Sequence, residues 1–142
     1  MSAMSNYLES QIIKYWFQND ATVAAKPGTV YIALFTVLPS EASASGTEVT
    51  GGGYSRVAVT NSAANWVGPT DDDATVTNGA AITFAVASGA DWGEIVGVAI
   101  YDAATAGNQL FQGALSANKT VNDGDPAFSF PIGSISVNVD VD

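Results

Sequence analysis

Cysteine and histidine do not occur among the 142 residues, and arginine occurs once, at Arg56. These gaps exclude disulfide frameworks, thiolate zinc sites, cysteine nucleophiles, Ser-His-Asp triads and imidazole metal ligands. Cationic side chains are scarce in general: four Lys plus Arg face 14 Asp plus Glu, a formal net charge of -10 at pH 7. Affinity for phosphate comes from clustered Lys and Arg, so neither nucleic acid nor an anionic membrane surface is an expected partner. No stretch approaches the roughly 20 apolar residues that span a bilayer. Met1 to Asn6 carries no basic n-region, and a soluble protein is expected. There is no phosphate-cradling G-x-x-x-x-G-K-[ST], no repeat of fixed period and no composition break.

What the chain does have is a core. Hydrophobic residues make up 47% and aromatics 10%, which excludes the disordered class and suits a single domain over residues 1–142. One helix is expected, over residues 6–18, with Asn6 as its cap, Glu9 reaching back and Asn19 closing the C-terminus. On a helical wheel Ser10, Gln11, Lys14 and Gln18 share one side. Leu8, Ile12, Ile13, Tyr15, Trp16 and Phe17 fill an apolar arc of roughly 200°, wider than the roughly 100° of an ordinary surface helix. An arc this wide predicts either a helix tucked deeply against the domain or one that turns part of the arc toward another subunit.

After Pro27-Gly28 the texture changes to short strands, expected over residues 29–139. Thr29 to Thr36 is a nearly continuous apolar run and reads as a strand buried on both faces. Arg56 to Thr60, Asn65 to Val67, Thr75 to Thr77, Ile82 to Ala87, Ile95 to Tyr101, Gln109 to Leu115, Ala127 to Phe130 and Ser134 to Val139 follow, with turn chemistry between. Gly51-Gly52-Gly53 reads as a flexible hinge and Asn78-Gly79 as a hairpin turn. The spacing predicts an all-β protein, an antiparallel β-sandwich or jelly roll of about eight strands with one N-terminal α-helix.

The motifs carry little chemistry. Ser116-Ala117-Asn118-Lys119 matches the S-x-x-K nucleophile pattern, but its K-T-G and S-D-N companions are absent and it reads as a turn between strands. Asp71-Asp72-Asp73 and Asp123-Gly124-Asp125 supply oxygens without the spacing of an EF-hand, so solvated turns are the reading. Asp91 and Glu94 flank Trp92 as chance neighbours in an acidic chain. No catalytic residue, cofactor or metal ligand is assigned. The lone Arg56 is expected to serve a local salt bridge near Glu48, with its stem on aromatics, or a contact to a carboxylate of another subunit. Tyr15, Trp16, Phe17, Tyr54, Arg56, Trp66 and Trp92 are the candidate partner contacts. Trp66 and Trp92 are placed near strand ends, where a tryptophan caps a core or anchors a binding site.

Several stretches, taken in order, resemble a family of small bacteriophage virion proteins whose members are labelled tail fibre or structural proteins. They are Asn6-Tyr7-Leu8-Glu9, Thr29 to Thr36, Pro39, Gly46-Thr47-Glu48-Val49, Gly53-Tyr54-Ser55-Arg56, Ile82-Thr83-Phe84, Trp92-Gly93, Gly97 to Asp102, Leu110 to Leu115 and Val121 to Asp125 followed by Phe128. The resemblance covers nearly the whole chain and implies a non-enzymatic part of a phage particle. The expected role is a capsid cement or decoration protein on the outer capsid surface of the virion. Its expected partners are the major capsid protein and copies of itself, as a dimer or trimer, with mass action stabilising the mature shell. The alternative is a tail fibre or receptor-binding module that stacks a host glycan on Trp66 and Trp92.

Overall fold

The computed structural model describes residues 3–42, 45–69 and 74–139. Strand β1 (Ala3–Met4) leads into helix α1 (Asn6–Ile13) and a π-helical turn, Lys14–Gln18. Then follow β2 (Thr29–Val37), β3 (Thr47–Glu48), β4 (Val57–Thr60), β5 (Trp66–Val67), β6 (Thr75–Asn78) and β7 (Ile82–Thr83). The last four are β8 (Gly93–Tyr101), β9 (Gln109–Val121), β10 (Ser129–Phe130) and β11 (Ser136–Asn138).

Three long strands make the frame. β9, β8 and β2 pair antiparallel in that order, with β1 on the outer edge of β9. β4 and β3 divide the outer edge of β2, one against Thr29 to Ile32 and the other against Phe35 and Val37. A three-stranded sheet, β11-β6-β5, and the pair β10-β7 form the opposing layer. The chain is an all-β sandwich with an N-terminal helix.

The period-two alternation of β2 decides what the frame buries. Val30, Ile32 and Leu34 face the main core, where Ile95 and Ile100 of β8 meet Ile82, Phe128, Phe130, Ile135 and Val137 of the opposing layer. Phe84 is fully buried at its centre, edge-on to Trp92, Phe128 and Phe130. Tyr31, Ala33 and Phe35 point to the other side of the sheet and join Ala99 and Tyr101 in a second small core. Phe35 stacks on Tyr101 there, with centroids 6.5 Å apart. The strand is buried on both faces, as its unbroken apolar run requires.

Several local expectations are corrected. The helix is capped by Ser5, one residue earlier than Asn6: its Oγ accepts from the Leu8 N–H at 3.2 Å. Ser5 wins because it is buried and also bonded to β9, through its own N–H to the Leu110 carbonyl and its hydroxyl to the Gln109 carbonyl. Asn19 closes the far end in the left-handed conformation, φ 46°, as expected. Deep burial of the helix is overturned: no residue of α1 or the following turn is buried. Asn78-Gly79 is no hairpin turn, since β6 and β7 belong to different sheets. Gly51 to Gly53 is a built turn with no hinge character. The Gly52 carbonyl accepts from Trp92 Nε1 and from the Ser88 N–H, both at 2.9 Å. Ser116 to Lys119 lies inside β9, which runs six residues beyond its expected end, and is no turn between strands. The strand expected over Ile82 to Ala87 stops at Thr83. Asp71-Asp72-Asp73 lies outside the described residues.

Candidate interaction surface

Residues 6–28 form an arm tied down at both ends. At its start Ser5 bonds to β9, the Asn6 N–H donates to the Glu41 carbonyl, and Tyr7 and Leu8 pack on the main core. At its end Thr29 opens β2. Between them the chain runs outward as helix and returns as coil, held to the helix by the Ala24 N–H donating to Gln11 Oε1 at 2.9 Å. The tip carries apolar side chains into solvent: Tyr15 is 66% exposed, Trp16 72% and Phe17 80%. Tyr15 and Trp16 contact each other edge to face at 5.7 Å. Lys14 and Lys26 balance Glu9 and Asp20, so the arm is formally neutral and the charge of -10 sits on the rest of the chain.

Arg56, by contrast, is used up within the chain. Its Nε and Nη2 donate to the two carboxylate oxygens of Glu48, each at 2.8 Å. Nη1 donates to the carbonyls of Ala103 and Ala106, and the guanidinium lies over the Tyr101 ring, 3.8 Å from its centroid. A planar fork alone can make this set of bonds. Burial by itself would lower the guanidinium pKa, but the Glu48 bonds and charge hold it above its ordinary value. Tyr54 belongs to the same network: its hydroxyl donates to Glu48 Oε1 at 3.0 Å and accepts from the Leu34 N–H at 2.9 Å. Burial above all pushes the Tyr54 phenol up, the Leu34 amide pulls it down, and the Glu48 charge raises it further.

Trp92 is 5% exposed, edge-on to Tyr54 at 5.4 Å. Trp66 is half-buried and packs on the main core. Of the seven candidate contacts, then, Tyr15, Trp16 and Phe17 come together on an open surface. Tyr54, Arg56 and Trp92 come together in the interior, and Trp66 stands apart. A glycan platform built on Trp66 and Trp92 loses its second ring to the core. The carboxylates are spent locally as well. Asp123 accepts from the Gly89 N–H, Asp125 from the Asn122 N–H, Asp91 from the Asp123 N–H and Glu94 from Asn118 Nδ2. Among the described residues no group of three or more acidic side chains is placed to hold a metal ion. No helix among them is long and apolar enough to cross a membrane.

Two features escape sequence reasoning. Asn78 is buried and acts as a junction: its Nδ2 donates to the carbonyls of Ala80 and Pro131, and its Oδ1 accepts from the Ile135 N–H. Asn-Gly spells a turn, and nothing local announces a long-range amide clamp. The second is a groove of about 330 Å³ where β9 and the segment carrying β10 and β11 part. Phe111, Leu115, Phe128, Phe130, Ile135 and Val137 supply its apolar walls, and Lys119 is its one charged lining residue. It forms because β9 bulges: Leu115 to Asn118 stand opposite the single residue Val96 between the paired Ala114–Gly97 and Lys119–Ile95 positions.

These surfaces can be set against known proteins. No curated protein matches the chain. A family model does match, over residues 3–138, and it is described as Podophage GP4 fiber I protein gp80. The match takes in the anchored arm, the frame and both layers, and the chain therefore belongs to this family of small phage virion structural proteins.

Proposed function

We propose that the chain is a non-catalytic building unit of a phage fibre, joined to other virion proteins by surface contact. The observation that carries the reading is the anchored arm, whose tip gathers three large aromatic side chains in solvent. A free monomer rarely keeps such a patch without a use for it. The fibre assignment follows the family description. The interior agrees with a structural role, because Arg56, Glu48 and Tyr54 are bound to one another and Trp92 to the Gly52 carbonyl.

A second reading, capsid cement on the outer capsid surface bound to the major capsid protein, is favoured by one feature. The described strands fold back into a short body with no elongated shaft. Electron cryo-microscopy of the purified particle separates the two. Density in tail-attached fibres, in tens of copies or fewer, is the expected result. Density repeated across the icosahedral shell in hundreds of copies rejects the fibre assignment in favour of cement.

A further inference from the structure

We propose that Asn78 is a site of self-modification by deamidation, held closed by the fold and open only in the unfolded chain, and that a modified chain cannot regain this structure.

Asn78-Gly79 is the one Asn-Gly pair in the sequence. In a mobile chain such a pair cyclises on itself. The Gly79 nitrogen bonds to the side-chain carbonyl carbon of Asn78, the bond from that carbon to Nδ2 breaks, and the proton of the glycine nitrogen ends on the departing ammonia. Water then opens the five-membered imide at either carbonyl, leaving aspartate or isoaspartate at position 78. Glycine makes the first step easy, because it sets no side chain beside the attacking nitrogen and lets the backbone turn freely.

The fold occupies every group this reaction needs. The Gly79 N–H donates to the Asn65 carbonyl at 2.8 Å. The leaving nitrogen, Asn78 Nδ2, donates to the carbonyls of Ala80 at 2.8 Å and Pro131 at 2.9 Å, while Oδ1 accepts from the Ile135 N–H at 2.8 Å. The main chain of Asn78 is pinned as well, its N–H to the Ile135 carbonyl and its carbonyl to the Gly133 N–H. Asn78 is 1% exposed, which keeps water from its side-chain carbonyl. Cyclisation must break several of these bonds together, so it waits for this layer of the sandwich to open.

Neither residue can be exchanged to remove the hazard. A Cβ at position 79 would collide with the Ala64 carbonyl oxygen, so only glycine fits there. Position 78 needs two donors and an acceptor on one short planar group, and a carboxylate offers acceptors alone. The same contacts make the change final. Aspartate turns an acceptor toward the Ala80 and Pro131 carbonyls, which leaves buried polar groups unpaired. Isoaspartate adds an atom to the main chain between β6 and β7, at the step from one sheet to the other. A copy that lingers unfolded is thereby barred from refolding.

The test uses the full chain. Two samples are held at the same mildly alkaline pH and temperature, one native and one in guanidinium chloride, and peptide mass spectrometry follows the amide at position 78. The native sample is expected to convert at least ~100-fold more slowly, because only its small opened fraction reacts. Aliquots of the denatured sample are then diluted into native buffer and the folded fraction is collected by gel filtration. The folded fraction is expected to retain Asn78, with a yield that falls in step with the loss of the amide. A sample aged in denaturant at mildly acidic pH, where cyclisation is suppressed, is expected to refold in unchanged yield. A native rate within ~100-fold of the denatured one overturns the proposal. So does a folded fraction that carries the modified residue in the proportion of the unfractionated sample, and so does an equal loss of yield after ageing in acid.

Discussion

Arg56 and Glu48 show how one side chain fixes several segments. The guanidinium ties β3 to the 103–106 turn and covers the Tyr101 face of the second core. Lysine keeps the charge and loses the fork, so Arg56→Lys is expected to lower unfolding free energy by about 2 kcal/mol, and Arg56→Ala by about 3–5 kcal/mol, since it strands the Glu48 carboxylate. Urea titration with unchanged m-value checks both. Asn78→Ala removes two donors and one acceptor from buried carbonyls and an amide. Its expected cost is about 2–4 kcal/mol, seen in the same assay. Tyr54 sets the alkaline limb. Its folded pKa lies above its unfolded value, so the neutral phenol's contribution is complete below pH ~10 and is lost as pH rises through the folded pKa. Stability is therefore expected to fall above pH ~10, and Tyr54→Phe to flatten that fall. The slope of unfolding free energy against pH, compared in the two proteins, measures the difference. Tyr101, also raised by burial, keeps some slope in the variant.

At the scale of elements, the cap and the tight turn carry the predictions. Ser5→Ala is expected to cost about 1–2 kcal/mol through the lost cap and to speed amide exchange across residues 6–13 while the frame stays protected. Gly52 has φ 53°, and a side chain there would meet the Ala90 carbonyl and the Trp92 ring. Gly52→Ala is therefore expected to lower the melting temperature by several degrees, visible as a shifted Trp92 fluorescence transition. The long strand β2 was legible because its signal is local, an apolar run that follows from how strands bury their faces, whereas the alternation of Ser134 to Val139 marks the buried Ile135 and Val137 but overstates β11, which is only Ser136–Asn138. The bulge of Leu115 to Asn118, the groove beside it and the division of one β2 edge between β3 and β4 were not legible. They depend on register across residues far apart in sequence, which no local pattern encodes. The candidate contacts divide in the same way. Tyr15, Trp16 and Phe17 betrayed themselves by an apolar arc too wide for a helix lying on a core. For Trp92 and Trp66 only the fold decides between core and surface.

Across the whole molecule, charge and arm oppose one another. A body that carries a net charge of -10 resists close approach of copies, and 0.1 M salt shortens the reach of that repulsion to about 10 Å. Any contact between copies is expected to strengthen as NaCl rises from low ionic strength and to level off once the repulsion is screened. Sedimentation velocity across a salt series reads this directly, and a steady loss of association with salt would place charge attraction in control instead.

The arm is a loop with two roots, not a free tail. One root is set against β9 at Ser5 and the other continues into β2 at Thr29, and these two strands flank β8. Tension applied at the aromatic tip therefore enters the sheet on both sides of its central strand at once. No single row of hydrogen bonds bears the whole load, and a particle that tugs on this protein through its arm pulls against the full width of the frame.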